Sequence, residues 1–239
     1  MAHEMNVDYK LISPPALNIL GATLPKYFVD SMNEYIDKDV IPHNESYAHG
    51  LVGQINQNKE SAQLSYRLME TQEGRDLKTI LDSSCKLYLQ QIGFSDKIAD
   101  VFQCWTVHSY SGDYNPMHDH GVKTLAGLSM ILYLKVPECI QKLENPIDKG
   151  GNVYLNNSSG EVDGFTYFSW ANVGTKMYNM LFPSGEMYIK PEVGRLIIFP
   201  NWLKHSVMPF FGDGERRTLS ANANIFSKDT PLKIIEEYR

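Results

Sequence analysis

The second half of the sequence is a series of short apolar runs separated by turn signals. The runs are rich in β-branched and aromatic residues: VFQCWTVHSY, LSMILYLKV, GNVYL, EMYIKP, GRLIIFP, HSVMPFF and RTLSANANIF. Between them stand turn sequences such as SGDYNP, KGGN, NNSSG, FPSG, PEVG and FGDG. Many short strands at regular intervals are typical of a β-sandwich or barrel. The pattern therefore predicts a β core over residues 96–226.

The first 95 residues have a helical periodicity instead. The segment GRDLKTILDSSCKLYLQQIG carries apolar side chains at helical spacing: Leu77, Ile80, Leu81, Cys85 and Tyr88. The segment LPKYFVDSMNEYID predicts a second helix that starts near Pro25, with Phe28, Met32 and Ile36 on one face. We therefore expect a mainly β protein with N-terminal helices.

These patterns predict one domain over residues 1–239. Residues 1–95 are expected to form a helical N-terminal support, and residues 227–239 a C-terminal tail with a short helix in PLKIIEEYR. Residues 158–186 interrupt the strands and are expected to be an insertion. That insertion, with its four aromatic residues Phe165, Tyr167, Phe168 and Trp170, is either a lid or substrate-recognition surface, a packed arm or a contact in a homodimer.

Composition excludes several classes of protein. The formal net charge is −6 and no basic tract occurs, so nucleic acid is an unlikely partner. The three cysteines form no C-x-x-C pair, which favours a reducing compartment. The N-terminus lacks the apolar stretch of a signal peptide, and no apolar run is long enough to span a membrane. We expect a soluble cytoplasmic protein.

The stretch NPMHDHG, residues 115–121, contains two histidines around an aspartate. Side chains alternate faces along extended chain, so His118 and His120 point one way and Asp119 points the other. His205 follows the apolar strand GRLIIFP and a turn, a position from which it can face the same cavity. Imidazoles suit iron, zinc, copper and nickel, so these three histidines form a candidate metal site. Of the other histidines, His49 and His108 are interpreted as packed or solvated residues.

Two segments resemble the Fe(II)- and 2-oxoglutarate-dependent oxygenases. WTVHSYSGDYNPMHDHG is similar to their first core strand and ligand turn, through Trp105, Gly112, Asp113, Asn115, His118 and His120. KPEVGRLIIFPNWLKHSVMPFFGDGERRTLSANANI is similar to their distal strands, through Pro191, Gly194, Phe199, Pro200, His205, Val207, Pro209 and Arg216. The resemblance covers residues 101–226 and implies a double-stranded β-helix, the jelly-roll or cupin-like barrel.

The sequence departs from the family at one metal position. The usual ligands are His-x-Asp/Glu and a distal His, and His120 stands here in place of the carboxylate. Either three histidines hold the iron, or Asp119 supplies the carboxylate through a local bulge. We prefer three histidines because of the strand alternation, and keep Asp119 as the alternative.

The resemblance implies Fe(II), 2-oxoglutarate and O2 as cofactor and co-substrates. The far carboxylate of 2-oxoglutarate needs a cation, and the candidates are Arg216 and Arg217. Arg216, Thr218 and Ser220 share a polar strand face that suits the site, so Arg216 is preferred, with Thr218 or Ser220 adding a hydroxyl. Aromatic and polar side chains on flanking segments are further candidates: Tyr110 and Tyr133 for the co-substrate, Trp105 and Asn115 for the substrate.

The implied activity is the hydroxylation of a substrate with release of succinate and CO2. The substrate is not readable, and a protein side chain and a small molecule both remain open. Three alternatives remain: a cupin-like three-histidine dioxygenase that does not use 2-oxoglutarate, a metal-binding module without catalysis, and a zinc hydrolase. The last is disfavoured because no glutamate that could act as acid or base stands beside the ligands.

Overall fold

The computed structural model describes residues 17–51, 53, 62–144, 160–170 and 185–239. Its helices are α1 (Lys26–Tyr35), which continues through a π-helical turn (Ile36–Val40) into α2 (Ile41–His43), then α3 (Gln72–Gln91), α4 (Glu138–Gln141) and α5 (Leu232–Glu237), with a 3-10 turn at Ala48–Gly50. Its strands are β1 (Leu20–Thr23), β2 (Gln63–Ser65), β3 (Lys97–Ser109), β4 (Asn115–His118), β5 (Gly127–Lys135), β6 (Thr166–Ser169), β7 (Glu186–Ile189), β8 (Arg195–Pro200), β9 (Lys204–Val207) and β10 (Arg216–Ser227).

The strands form two antiparallel sheets. The major sheet has the order β1-β8-β5-β10-β3-β2, and the minor sheet has the order β4-β9-β6-β7. Strands that are distant in sequence are neighbours in both sheets, as in a jelly roll. The predicted mainly β fold with N-terminal helices is confirmed, as a double-stranded β-helix whose two sheets do not close into a barrel. None of the helices in the described part of the chain is both long and apolar enough to span a membrane.

The helices cover the outer face of the major sheet. Thr71 begins α3 by accepting a hydrogen bond from the backbone N–H of Gly74 at 3.1 Å. The buried side of α3 includes Leu77, Leu81 and Cys85, as its periodicity predicts. They join one hydrophobic core with the outward side chains of β10, namely Leu219, Ala221 and Ala223. The opposite side chains of β10 are thereby directed between the two sheets.

A second core fills the space between the sheets at one end. It contains Tyr133 of β5, Phe168 of β6 and Phe199 of β8. The rings of Phe199 and Phe168 both lie close to His205, at centroid distances of 5.0 and 5.8 Å. This apolar packing fixes one side of the imidazole on β9.

The structure corrects two sequence-based predictions of organisation. Residues 166–169, expected within an insertion, form the core strand β6, which pairs with both β9 and β7. Phe168 is therefore a buried core residue, since alternate side chains of this strand point between the sheets, and Phe165 just before the strand is buried as well. The expected helical support also contributes β1 and β2 to the two edges of the major sheet. The expected strand GNVYL and most of the predicted insertion lie outside the described residues.

An ion-pair network joins α1 and its π-helical turn to the start of β10. Arg217 donates to both carboxylate oxygens of Glu215, at 2.8 and 3.0 Å, to Asp37 at 2.6 Å and to Asn33 at 3.1 Å. His108 bonds to Glu215 at 2.6 Å, on the same outward side of the sheet. Burial alone would raise the pKa of Glu215, but the hydrogen bonds from His108 and Arg217 lower it to about 2.

We expect Glu215 to make the fold acid-sensitive. Its pKa is lower in the folded than in the unfolded chain, so its stabilisation is complete above about pH 4.5 and is lost as the pH falls toward 2. The Glu215→Gln variant should be less stable at pH 7 by about 3 kcal/mol. Urea unfolding at pH 7, 4 and 2.5 measures this difference, which should shrink toward the acidic end. A difference that stays constant with pH would contradict the assignment.

Candidate metal centre and active-site cavity

Three histidines from three parts of the chain meet between the sheets. His118 ends β4, His120 follows it in the next loop, and His205 lies on β9, where it pairs directly with His118. The ring centroids of His118 and His205 are 4.3 Å apart, and that of His120 lies 5.3 and 5.0 Å from them. One potential ligand atom from each ring lies within 4.8 Å of the other two. The structure thus brings together the three histidines selected from the sequence.

Each imidazole is held by its Nδ1 atom. The Nδ1 atoms of His118, His205 and His120 lie 2.7, 3.0 and 3.1 Å from the oxygens of Pro116, Leu203 and the Asn222 side chain, respectively. Carbonyl and amide oxygens only accept hydrogen bonds, so every Nδ1 carries a hydrogen. In the neutral ring each Nε2 is then unprotonated, which is the arrangement of histidines that bind a metal.

The free lone pairs face one another. The Nε2 atoms of His120 and His205 are 3.2 Å apart, and neither has a hydrogen to share when both Nδ1 atoms are donors. Two lone pairs at this distance repel each other, and a cation between them removes the repulsion. The residues present therefore fit a bound metal ion.

Burial keeps the three imidazoles neutral. Burial lowers the pKa of His118. The pKa of His205 is lowered further, by burial and by charge repulsion from His118 and His120. Burial and the neighbouring His118 lower the pKa of His120 to about 4. A metal binds the neutral imidazole, so no proton has to be displaced near neutral pH.

Asp119 points away from the three histidines. Its carboxylate forms an ion pair with Lys204 at 2.5 Å, and its side chain is 45% exposed. The metal-ligand cluster in the described part of the chain contains no carboxylate. Strand β4 ends at His118, and the carboxylate of Asp119 in the following loop is paired with Lys204 rather than turned toward the histidines.

The histidines stand in a cavity of about 230 Å³ between the sheets. Its lining from β10 consists of Arg216, Thr218, Ser220 and Asn222, the polar face that alternation predicts. Arg217 faces the helices instead, in the ion-pair network described above.

Among the described residues, Arg216 is the one arginine that lines this cavity, and it is 2% exposed. Its guanidinium donates to the backbone oxygen of Gly164 at 3.0 Å and to the hydroxyl of Thr166 at 3.4 Å, and it lies 5.3 Å from the ring centroid of Tyr133. Among the described residues, no carboxylate forms an ion pair with it. Burial therefore lowers the pKa of Arg216, although an arginine remains charged in proteins. A buried cation without a counter-charge is a site for an anion.

The remaining candidates are placed differently. Tyr133 is fully buried beneath Arg216, and its hydroxyl lies 2.6 Å from that of Thr166. Trp105 and Asn115 line the cavity, and the indole of Trp105 stacks on His120 at 5.6 Å. Neither tyrosine is among the residues that line the cavity, and Tyr110, which follows the end of β3, is 42% exposed.

Several cavity residues were missed by the sequence analysis. Asn222 orients His120, and it is itself held by Ser129 at 2.9 Å and Gln103 at 3.2 Å. The alternation of β3 could have identified Gln103, since it shares a face with Trp105. No sequence signal marks Tyr47 or Gln63, because they reach the cavity through the pairing of β2 at the sheet edge.

The fold and the cavity define a metal-dependent enzyme of the double-stranded β-helix class. The family model described as "Putative 2OG-Fe(II) oxygenase" matches residues 103–222, and the chain belongs to this family. The three histidines and Arg216 all fall within the matched residues. No curated protein matches the chain significantly.

Solved structures share the fold at low sequence identity. A prolyl-4-hydroxylase from Pseudomonas putida has a TM-score of 0.52 and 15% identity, over 87% of this chain and 92% of that chain. AviO1 from Streptomyces viridochromogenes Tue57 has a TM-score of 0.51 and 11% identity, over 90% and 92%. HygX from Streptomyces hygroscopicus, solved with iron bound, has a TM-score of 0.50 and 9% identity, over 87% and 82%.

The family membership fixes the class of reaction. The protein is a 2-oxoglutarate-dependent oxygenase, an oxidoreductase that uses Fe(II), 2-oxoglutarate and O2. The predicted activity and cofactors are thereby confirmed at the level of the family.

Proposed function

We propose that His118, His120 and His205 hold the Fe(II) through their Nε2 atoms, and that no carboxylate of the chain binds it. The observation that carries this proposal is the convergence of three unprotonated Nε2 atoms, while Asp119 is paired with Lys204. Three protein ligands leave the other coordination positions of the ion for 2-oxoglutarate and O2. Three neutral ligands also leave the full charge of the ion in place, which favours the binding of the 2-oxoglutarate dianion.

Arg216 is proposed to bind the far carboxylate of 2-oxoglutarate. The guanidinium of Arg216 donates to Thr166 on β6. Two residues further along β6 lies Phe168, which pairs with His205 on β9. Two residues along a strand span about 7 Å, which suits a five-carbon diacid bound to the iron at one end and to Arg216 at the other. Thr218 and Ser220 lie on the same face of β10 and offer hydroxyl groups to this carboxylate. Tyr133 supports the guanidinium from below.

The bound iron supplies the oxidising chemistry, with release of succinate and CO2 and hydroxylation of a substrate. The chain has three tasks in this reaction. The Nδ1 hydrogen bonds orient the imidazoles, Arg216 orients the co-substrate, and the apolar side of the cavity around Phe168 and Phe199 excludes water from the iron. The substrate is a protein side chain or a small molecule. All three cysteines are free thiols, which supports a reducing location such as the cytoplasm.

Anaerobic titration tests this assignment. We expect the chain to bind one Fe(II), and the addition of 2-oxoglutarate to produce a visible charge-transfer band. X-ray absorption of the iron complex should count three imidazole ligands before 2-oxoglutarate is added. Iron binding without a band would exclude chelation by 2-oxoglutarate, and a count of two imidazoles with one carboxylate would exclude the three-histidine centre.

A further inference from the structure

A side-chain amide lies at the side of the cavity away from Arg216. Gln63 lines the cavity and is only 8% exposed. Within the described part of the chain, no hydrogen bond joins its side-chain amide to another residue. This amide is therefore available to bond a ligand in the cavity.

The position of Gln63 separates it from the 2-oxoglutarate position. Gln63 pairs with Val107 on β3, and Val107 pairs with Thr218 on β10. Two strand spacings put the backbone of Gln63 about 10 Å from that of Thr218 in the plane of the sheet. A 2-oxoglutarate molecule held between the histidines and Arg216 would lie over β10. Gln63 is therefore within reach of a substrate that binds beside the 2-oxoglutarate.

A second unpaired amide atom lies beside the metal centre. The Nδ2 of Asn115 lies 3.4 Å from the Nε2 of His118, and its Oδ1 is buried without a hydrogen-bond partner. If the Oδ1 and Nδ2 positions of Asn115 are exchanged, the buried atom without a partner is the nitrogen instead of the oxygen, and one polar atom of the amide is still unpaired. Asn115 and Gln63 therefore each leave hydrogen-bonding capacity unused in the same cavity.

The charges of the cavity exclude ionic substrates. Among the described residues that line it, Asp119 has the one carboxylate, and that group is already paired with Lys204. Arg216 is the one permanent cation of the same lining, and it is assigned to 2-oxoglutarate. A polycationic substrate would find no free counter-charge in the described lining, and an anionic substrate would compete with the co-substrate for a single arginine.

Two rings stack on Trp105 in the wall of the cavity. His120 lies at a centroid distance of 5.6 Å, and Tyr47 lies at 5.0 Å with the rings 17° from parallel. This packing leaves less of the indole open for stacking with a sugar ring. The amides of Gln63 and Asn115, in contrast, each combine a donor and an acceptor in one plane.

We propose that the substrate is a neutral polypeptide segment, recognised through a peptide group that pairs with the amide of Gln63 and bonds to Asn115. A side-chain amide matches a peptide group, since its N–H donates to the peptide C=O while its C=O accepts from the peptide N–H. This inference rests on the proposed function. In the reaction, one oxygen atom of O2 replaces a C–H bond of the peptide by C–OH, and the other enters succinate as 2-oxoglutarate loses CO2.

The test uses a mixture of acetylated and amidated pentapeptides built from uncharged residues, incubated with the iron-loaded full chain, 2-oxoglutarate and O2. Mass spectrometry should detect peptides heavier by one oxygen atom. The same peptides should shift the anaerobic charge-transfer band as they bind. Maltose and kanamycin serve as the neutral sugar and the polycation, and neither should shift the band or gain oxygen.

Gln63→Met removes the amide while keeping the shape of the side chain. We expect its KM for a reactive peptide to rise about 10- to 100-fold, with the affinity for 2-oxoglutarate retained. Gln90→Met, on the exposed side of α3, is the matched control and should match the wild type. Gln63→Glu provides a second variant if Gln63→Met does not form the band, and it should also bind the peptide more weakly.

The outcomes distinguish this inference from the proposed function. If the band forms but no peptide shifts it or gains oxygen, the polypeptide assignment is wrong and the metal assignment stands. Oxidation of maltose or kanamycin, or an unchanged peptide KM in both Gln63 variants, would also overturn it. If no band forms in the wild type, the proposed function itself fails.

Discussion

Iron binding by the His205→Ala variant is expected to fall by more than about 100-fold, since even residues that only orient a metal ligand contribute 10- to 100-fold. His205 has the most buried of the three imidazoles, and its Nε2 lies 3.2 Å from that of His120. The vacated space beside Phe168 and Phe199 is apolar and offers no replacement ligand. Succinate formation should be lost with the iron.

Asp119→Ala is the matched control for this variant. It removes the carboxylate closest in sequence to the ligands, but only an exposed ion pair with Lys204 in the structure. We expect its iron affinity and its succinate formation to remain within a few-fold of the wild type. Anaerobic Fe(II) titration followed by succinate assay measures both variants. An equal loss in Asp119→Ala would mean that the aspartate, rather than His120, completes the metal site.

The Arg216→Ala variant is expected to lose about 2–5 kcal/mol of 2-oxoglutarate binding, an increase of roughly 30-fold or more in its dissociation constant. The loss is large because the guanidinium is buried and has no other carboxylate partner among the described residues. The free variant should not be much less stable than the wild type, because the removed charge is one that burial disfavours. The increase in melting temperature on adding 2-oxoglutarate should therefore disappear.

Arg217→Ala is expected to have the opposite effect. Arg217 binds Glu215, Asp37 and Asn33, and it faces the helices rather than the cavity. Its removal leaves Glu215 buried with fewer partners and should destabilise the fold by about 3 kcal/mol. The dissociation constant for 2-oxoglutarate should stay close to that of the wild type. Differential scanning fluorimetry with and without 2-oxoglutarate separates the two arginines, and weaker 2-oxoglutarate binding in Arg217→Ala alone would reverse the assignment.

Local patterns were sufficient for the elements that carry the site. Period-two alternation placed Arg216, Thr218 and Ser220 on one face of β10 and Arg217 on the other, because a strand has only two faces. The same rule directed His118 and His120 together and Asp119 away. Helical periodicity likewise identified the buried side of α3.

Pairing between distant strands was not readable from these patterns. Residues 166–169 have the composition of a strand, but only their pairing with β9 and β7 makes them part of the core. Tyr110 was expected at the co-substrate because the predicted strand VFQCWTVHSY includes it, yet β3 ends at Ser109 and the side chain of Tyr110 is exposed. Gln63 has no local signal, since its place in the cavity depends on neighbours that are distant in sequence.

Short motifs and strand alternation were enough to predict the class of fold, the three histidines and the arginine of this oxygenase, because they encode the direction of each side chain. Which atoms meet depends on the tertiary structure. Among the described residues, it brings the three imidazoles together, pairs no carboxylate with Arg216, and puts Gln63 and Asn115 in the same cavity. These features depend on the packing of two sheets against each other, which fixes distances between residues that no local pattern connects.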